Sequence, residues 1–400
     1  MLTRRDLLKR SLLLSLAPAV PAFLARSARA AAAERDRRLL VVVQLDGGND
    51  GLNTVVPVRD ENYARLRPKL ALKDDRLIKL NDEVSLHASL KGAGNLFDDG
   101  RLAIVQGVGY PNPNRSHFRS MAIWQSARLD EADHGQYGWL GRTLDRAAQD
   151  AAEPQAVFAG AGAAPVALWG RRASVATIAS LDDLTLAAPA DALRGSLALA
   201  EQSDDLTRLV ARASDEAFVT AERLAALALV PTAKQSSGYG QSNLAEQLKV
   251  ISALIKADSP ARVFYTSQGG YDTHAVQAND HARLLRNLGD SLKGFLDDLT
   301  AAGLAERVLV LCFSEFGRRA AENDSSGTDH GAAGPVFVAG PNLAAGMLGP
   351  TPNLAELVEG DVPMAIDFRQ LYATILDRWL DVRPADVLAG EFAQIPLFKA

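Results

Sequence analysis

The sequence contains a single cysteine, Cys312, among its 400 residues. No disulfide bond can form within the chain, so a large apolar core has to hold the fold, even in an oxidising compartment. Cys312 lies inside the apolar run at residues 308–313. We interpret it as a buried small hydrophobe rather than a nucleophile.

Neither sign of charge dominates the sequence. It has 43 basic and 48 acidic residues, which gives a net charge of -5. Nucleic-acid binding depends on a concentrated basic surface, so we expect no nucleic acid among the partners. No apolar run reaches the about 20 residues that a membrane-spanning helix needs, and we expect no stable membrane span.

The first 30 residues have the order of a secretion signal. The pair Arg4-Arg5 is followed by an apolar run at residues 11–24 and by the small-residue sequence Ala28-Arg29-Ala30. This order is typical of a signal peptide that is removed on export, and the arginine pair favours the twin-arginine (Tat) route. The alternative, an uncleaved membrane anchor, needs a longer apolar run.

We therefore predict a twin-arginine signal peptide at residues 1–30 and a mature domain at residues 31–400. The Tat translocase is then a partner during export, and the mature protein is periplasmic or extracellular.

Continuous apolar runs predict strands that are buried on both faces. These runs lie at residues 39–45, 102–106, 263–265, 308–313 and 336–339. Because they are continuous rather than alternating, they favour a mostly parallel sheet covered by helices. Leucines three or four residues apart predict an amphipathic helix at residues 282–299. The pattern predicts an α/β fold, a three-layer α/β/α sandwich.

Residues 185–260 differ from the rest, because they have helical spacing and no clear strand. We interpret them as a helical insert within the mature domain. Two alternatives stay open at this point: the insert covers a cleft, or its helices simply pack on the sheet.

Polar residues cluster at the ends of the predicted strands. In open parallel sheets, ligands bind beyond the carboxyl ends of the strands. The candidate residues, in chain order, are Asp46, Ser116, His117, Arg119, Asp272, His274, Glu315, Arg318 and His330.

Buried charges at strand ends are costly unless they are paired or bind a metal. We therefore predict a centre for one or two divalent ions, such as zinc or calcium, held by Asp46, Asp272, His274, Glu315 and His330. The alternative is a set of salt bridges between the carboxylates and Arg115, Arg119 and Arg318.

Ser116 precedes a helix predicted at residues 119–126, and two roles are open for it. A helix N-terminus favours an anion such as a phosphate, which fits a nucleophile that attacks an anionic ester. A serine at this position is equally typical of a helix cap. His117 is a base, a ligand or a packed histidine, and the residues alone do not decide which.

Taken together, these motifs resemble the domain-of-unknown-function family numbered 1501, over nearly the whole mature chain. The matching segments are Leu45-Asp46-Gly47-Gly48-Asn49-Asp50-Gly51, Leu86-His87, Ser116-His117-Phe118, Gly138-Trp139-Leu140-Gly141-Arg142, Asp272-Thr273-His274, Ser314-Glu315-Phe316-Gly317-Arg318, Asp329-His330-Gly331 and Asp367-Phe368-Arg369.

That family is in turn similar to the alkaline phosphatase superfamily, which includes sulfatases and phosphodiesterases. The resemblance implies a metal-dependent hydrolase of phosphate or sulfate esters, acting on a small anionic ester or a decorated polymer. It implies Ser116 as the nucleophile, with His117 beside it and Arg318 or Arg119 holding the anionic oxygens.

Two departures from the superfamily pattern concern the metal. Glu315-Phe316 stands where relatives carry Asp-His, so one histidine ligand is absent, and the spacing from Asp272 to His274 is short. One ion is then as consistent with the sequence as two. An alternative function follows, a non-catalytic exported binding or assembly protein that keeps the fold.

We predict that changing Arg4→Lys and Arg5→Lys together leaves the precursor in the cytoplasm, because the Tat route requires the arginine pair. Cell fractionation and immunoblotting measure where the protein is. The control Lys9→Arg keeps the pair and should be exported like the parent. Normal export of the double variant would contradict the Tat assignment.

Overall fold

A computed structural model of the chain describes residues 37–130, 137–147, 155–180, 238–344 and 346–399. The predicted signal peptide lies outside the described residues, as do residues 185–237 of the predicted insert. Leu39–Ala400 form one compact unit. None of the helices in the described part is long and apolar enough to cross a membrane.

The described ranges form twelve strands and nine α-helices. In chain order they are β1 (Leu39–Leu45), α1 (Gly51–Thr54), β2 (Val55–Val56), α2 (Glu61–Leu66), β3 (Leu77–Lys79), β4 (Ser85–His87), α3 (Lys91–Asp98), β5 (Leu102–Gly109), α4 (His117–Ser126), α5 (Trp139–Ala147), β6 (Ala156–Ala159), β7 (Val175–Ile178), α6 (Asn243–Lys256), β8 (Val263–Gln268), α7 (Gln277–Ala301), β9 (Val308–Ser314), β10 (Gly334–Ala339), β11 (Gly346–Leu348), β12 (Ile366–Asp367), α8 (Phe368–Arg378) and α9 (Ala385–Leu388).

One large sheet organises the unit, with the order β11-β5-β10-β9-β1-β8-β6-β7 and β12 beside β5. Among the described strands of this large sheet, β10 alone runs against its neighbours, antiparallel to both β9 and β5. The prediction of a mostly parallel sheet is therefore confirmed. A separate three-stranded sheet, β2-β4-β3, lies outside the large sheet.

Helices cover both faces of the large sheet, as the sandwich prediction requires. On β1, Val41 and Val43 face a core shared with α3, α6 and α7, and Leu40 and Val42 face a core shared with α4, α5 and α8. Cys312 is fully buried in the first core, and burial raises the pKa of its thiol. The three-layer α/β/α arrangement is confirmed.

The described part of the predicted insert packs on the sheet. Helix α6 buries Leu244, Leu248 and Ile251 in the same core as β1 and α7. Just before it, Tyr239 is buried, and its hydroxyl donates to Asp298 on α7 at 3.0 Å. Residues 238–256 therefore form part of the helical layer.

The strands end together where the candidate residues begin. Leu45 at the end of β1 pairs with Gln268 on β8 and with Ser314 on β9, in parallel register. Because the three strands end at the same level, the residues that follow them emerge at one edge of the sheet. This register places Asp46, the loop that carries Asp272, and Glu315 together.

A buried ion pair stabilises this edge of the sheet. Asp50 caps α1 and lies 2.6 Å from Arg67 Nη1, and neither side chain is exposed. Burial raises the pKa of Asp50, but Arg67, His281 and Gln277 together lower it by more, so the carboxyl stays ionised. Arg67 also donates to the carbonyls of Arg319 and Ala320, which ties the segment after β9 to α1.

We predict that Arg67→Met lowers the free energy of unfolding by about 3–5 kcal/mol, because it leaves the Asp50 carboxylate buried without its partner. Denaturant unfolding followed by circular dichroism measures the change. The matched control is Lys79→Met, which breaks an ion pair between exposed side chains and should leave stability unchanged. Equal effects of the two variants would contradict the assigned role of the buried pair.

Candidate metal centre

Two glycines let the loop after β1 approach its neighbours. Gly47 and Gly48 have φ values of +116° and +77°, a region that favours glycine. A Cβ on Gly47 would lie 2.3 Å from the backbone nitrogen of Asp272, and a Cβ on Gly48 would lie 2.4 Å from the Phe316 ring. Any other residue would push the loops of β1, β8 and β9 apart.

The Asp272 carboxylate is the point where the candidate side chains meet. Its Oδ1 lies 2.9 Å from His330 Nε2 and 3.0 Å from His274 Nε2, and its Oδ2 lies 3.5 Å from His117 Nε2. Burial raises the pKa of Asp272, but hydrogen bonds from His330 and Arg318 lower it by more, to well below its usual range. The carboxylate is therefore ionised and faces three imidazole nitrogens.

Each of the three histidines places its other ring nitrogen against an acceptor. Nδ1 of His117 is 2.8 Å from Glu315 Oε1, and Nδ1 of His330 is 2.7 Å from the Arg115 carbonyl. Nδ1 of His274 is 3.1 Å from Asp329 Oδ1. A neutral imidazole that donates from Nδ1 carries its lone pair on Nε2, so with these acceptors each ring can offer its Nε2 to a metal ion.

The donor atoms at this edge of the sheet lie close enough together to hold a cation. Nε2 of His274 lies only 2.9 Å from Nε2 of His330, and Nε2 of His117 is buried without a hydrogen-bond partner among the described residues. His117, Asp272 and His330 offer ligand atoms within 4.8 Å of one another. Ligand atoms around one tetrahedral Zn²⁺ lie about 3.3 Å apart, and imidazole with carboxylate suits such an ion. The residues present therefore fit one divalent ion.

Glu315, predicted as a ligand, lies behind His117 instead. It is buried, and its Oε1 accepts hydrogen bonds from the Gly47 backbone nitrogen at 2.9 Å and from His117. Its Oε2 faces the Ser314 hydroxyl at 2.9 Å. A carboxylate that holds Nδ1 of a ligating histidine orients the ring and increases its basicity. The geometry thus makes His117 the candidate ligand and Glu315 the residue that positions it.

Asp46 lies beside the cluster and outside the group of three. The Gln44 side-chain amide donates a hydrogen bond to its carboxylate. Burial raises the pKa of Asp46 to about 6, and the nearby Glu315 charge adds to the rise. Asp46 therefore differs from Asp272, because its carboxyl takes up a proton at a higher pH.

Arg318 is buried, and its guanidinium points into the protein and donates hydrogen bonds to protein groups. It donates to the carbonyls of Gly48 at 2.8 Å and Thr328 at 2.6 Å, and to Asp272 Oδ1 at 2.6 Å. Further hydrogen bonds go to the carbonyls of Gly47 and Tyr271. Arg318 therefore holds three loops together, a different role from the predicted contact with a substrate anion.

Ser116 and Arg119 flank His117 on α4. Ser116 is the exposed N-cap residue, yet within the described structure its side chain makes no capping hydrogen bond. Its hydroxyl therefore does not have the capping role that was the alternative. Arg119 is half-buried and two residues beyond His117, and side chains with that spacing on a helix do not share a face.

Phe316 forms an apolar wall of the centre. It is buried, and its ring centroid lies 5.0 Å from that of His117 and 4.7 Å from that of His330. Among the described residues, the side chains at this edge supply one group that could hold an ion, and Phe316 packs beside it.

Residues 37–390 match the model of the family described as "Protein of unknown function (DUF1501)". The chain belongs to this family. The identification made from the sequence motifs is confirmed. No functionally curated protein matches the chain significantly.

The solved structures that are similar to the chain share little sequence identity with it. The C-terminal periplasmic domain of EcEptC from Escherichia coli is 8% identical, with 90% of this chain and 89% of that chain covered and a TM-score of 0.41. The PsFucS1 sulfatase from Pseudoalteromonas sp. is 12% identical, with 92% and 75% covered and a TM-score of 0.41. A protein in the alkaline phosphatase superfamily from Vibrio parahaemolyticus is 9% identical, with 89% and 71% covered and a TM-score of 0.38.

We predict that the purified protein binds one divalent ion per chain and that His330→Ala abolishes stoichiometric binding. Glu315→Gln should weaken the affinity by about 10- to 100-fold, because it disturbs the partner of His117 Nδ1. Elemental analysis and competition with a chelating dye measure both effects.

The control for these variants is Asp280→Asn, which changes an exposed carboxylate on α7 and should bind the ion like the parent. A parent protein that is prepared without chelator and contains no stoichiometric metal would contradict the metal assignment. It would favour the salt-bridge alternative centred on Arg318 and Asp272.

Proposed function

We propose that the protein is an exported, metal-dependent hydrolase of phosphate or sulfate esters. The observation that supports this most is the convergence of three imidazole Nε2 atoms on the Asp272 carboxylate, each ring held through Nδ1 by an acceptor. The proposed ligands are His117, Asp272, His274 and His330.

The charge of this ligand set suits an anionic substrate. A bound divalent ion supplies positive charge to ester oxygens and lowers the pKa of a nearby nucleophile. Three neutral imidazoles and one carboxylate neutralise only one of its two charges, so the centre keeps a net positive charge. Glu315 and Arg318 keep His117 and Asp272 in place, so the ligands need little reorganisation when an ester binds.

Ser116 is the proposed nucleophile. It stands directly before the candidate ligand His117, at the N-terminus of a ten-residue helix, and its side chain is exposed. Helix dipole and backbone N–H groups at this end favour an anionic group near the serine hydroxyl. A serine hydroxyl needs activation before it can attack, and a neighbouring cation provides it more effectively than an isolated imidazole.

A second candidate function is a non-catalytic exported binding or assembly protein. The observation that favours it is Phe316, whose buried ring packs on His117 and His330 where the superfamily has a histidine ligand. Such a protein would keep the metal for structure, and it would hydrolyse no ester at all.

Export by the Tat route to the periplasm or beyond completes the proposal. It is supported by the sequence of residues 1–30, which lie outside the described structure. Substrates would then be small anionic esters or decorated polymers outside the cytoplasm.

We predict that Ser116→Ala lowers the turnover of aryl phosphate or aryl sulfate esters by orders of magnitude and leaves metal content unchanged. Stability should barely change, because this hydroxyl does not cap α4. The matched control is Ser242→Ala, which removes a hydroxyl that accepts a hydrogen bond from the Ala245 backbone nitrogen at 3.1 Å. That variant should lose about 1 kcal/mol of stability and keep its activity.

Steady-state kinetics and denaturant unfolding distinguish the effects of the two serine substitutions on turnover and on stability. Equal turnover in Ser116→Ala and the parent would remove Ser116 from the mechanism. A parent that binds metal and hydrolyses no ester in a panel of phosphates and sulfates would favour the binding-protein candidate.

A further inference from the structure

Gln277 places a buried amide between the two loops that carry candidate ligands. It is the first residue of α7, and it has no exposed surface. Asp272 and His274 lie on the loop between β8 and α7, and His330 lies on the segment before β10. Because the two loops are far apart in the sequence, only tertiary contacts can fix the distance between them.

The side-chain oxygen of Gln277 contacts a buried threonine of each loop. Thr328 Oγ1 donates to Gln277 Oε1 at 2.6 Å, and Thr273 Oγ1 donates to the same atom at 3.1 Å. The Thr273 hydroxyl has a second acceptor, the Tyr271 carbonyl at 3.3 Å, and the Thr328 backbone nitrogen donates to the Thr273 carbonyl at 3.2 Å. One amide oxygen has two lone pairs and can therefore hold both loops.

The buried Asp50 carboxylate decides which way this amide points. Asp50 Oδ2 accepts hydrogen bonds from Gln277 Nε2 and from Arg67 Nη1. The carboxylate stays ionised, so it accepts hydrogen bonds and donates none. The amide nitrogen of Gln277 must therefore face Asp50, and the amide oxygen is left to face the two threonines.

Each threonine is close in the chain to a group of the metal centre. Thr273 lies between Asp272 and His274. Thr328 directly precedes Asp329, whose Oδ1 lies 3.1 Å from His274 Nδ1. A change in the spacing of the two threonines would therefore move the candidate ligands relative to one another.

The backbone is strained directly before Gln277. Val276 has a φ of +46°, in the left-handed region that is rare for a β-branched residue. Its backbone nitrogen donates to the Ser325 carbonyl at 3.0 Å, and the Gln277 backbone nitrogen donates to the Ser326 carbonyl at 3.0 Å. Such strain persists where the surrounding contacts fix the position, and it is common at functional sites. The start of α7 is therefore held against the loop that carries Thr328.

We propose that Gln277 is a positioning residue of the metal centre, which sets the distance between the loop after β8 and the segment before β10 through its amide oxygen. The inference rests on the metal centre of the proposed function and requires no ester hydrolysis. A residue that only satisfied buried polar groups would contribute to stability and leave the geometry of the ligands unchanged.

Heteronuclear NMR of the histidine rings in the full, metal-free chain tests the positioning. Gln277→Met keeps the length of the side chain and removes its hydrogen-bonding groups, and Thr328→Val removes one hydroxyl. We expect both variants to shift the ring resonances of His274 and His330. The matched control is Thr374→Val on α8, which removes a buried hydroxyl with two hydrogen-bond partners and should leave these resonances unchanged.

Competition with a chelating dye for Zn²⁺ gives a second measurement. Gln277→Met and Thr328→Val should each bind Zn²⁺ about 10-fold more weakly than the parent, because supporting groups hold the ligands in place. Thr374→Val should lose stability and bind Zn²⁺ like the parent. The variant that combines Gln277→Met with Thr328→Val should bind no more weakly than Gln277→Met alone, because the two residues act as a unit.

Thr328→Val decides the question if Gln277→Met fails to fold. The proposal is overturned if the folded variants keep the histidine resonances of the parent, if Thr374→Val weakens Zn²⁺ binding as much as they do, or if the two single effects add. A parent that binds no Zn²⁺ would overturn the metal assignment, and the histidine resonances would still test the positioning. Normal Zn²⁺ binding without ester turnover would overturn the hydrolase alone.

Discussion

The site depends on the Asp272 carboxylate, which three histidine side chains approach. His274 Nε2, His330 Nε2 and Asp272 Oδ1 lie within 2.9–3.0 Å of one another. Hydrogen bonds offset the cost of bringing these polar groups together in a partly buried setting. The surrounding contacts hold these side chains in place.

The sheet supplies most of that support. Strands β1, β8 and β9 end at the same level of the sheet. Gly47 lets the loop after β1 contact the Asp272 loop, and Gly48 lets it contact Phe316. The Arg318 guanidinium donates hydrogen bonds to loop carbonyls and to Asp272. The buried Arg67–Asp50 pair ties the segment after β9 to α1. Burying these charged groups costs stability, and pairing each with an opposite charge offsets most of that cost.

Arg115 links two segments around the site. Its carbonyl lies against His330 Nδ1, and its guanidinium donates hydrogen bonds to the buried Asp361 carboxylate. The loop before α4 is thereby held against the segments that carry His330 and Asp361.

The sequence by itself determined the fold class, the central strands and the meeting of Asp272, His274 and His330, because continuous apolar runs and strand-end polar residues are local patterns. It predicted β1 at its observed bounds and shorter versions of β5 and β8; the added residues of β8 are polar and those of β5 include two glycines, yet both segments pair with neighbouring strands. Tertiary structure decided the roles: Glu315 behind His117, Arg318 directed inward, and Asp361 against Arg115. Those roles depend on the direction of each side chain, which packing between distant segments sets and no local pattern encodes.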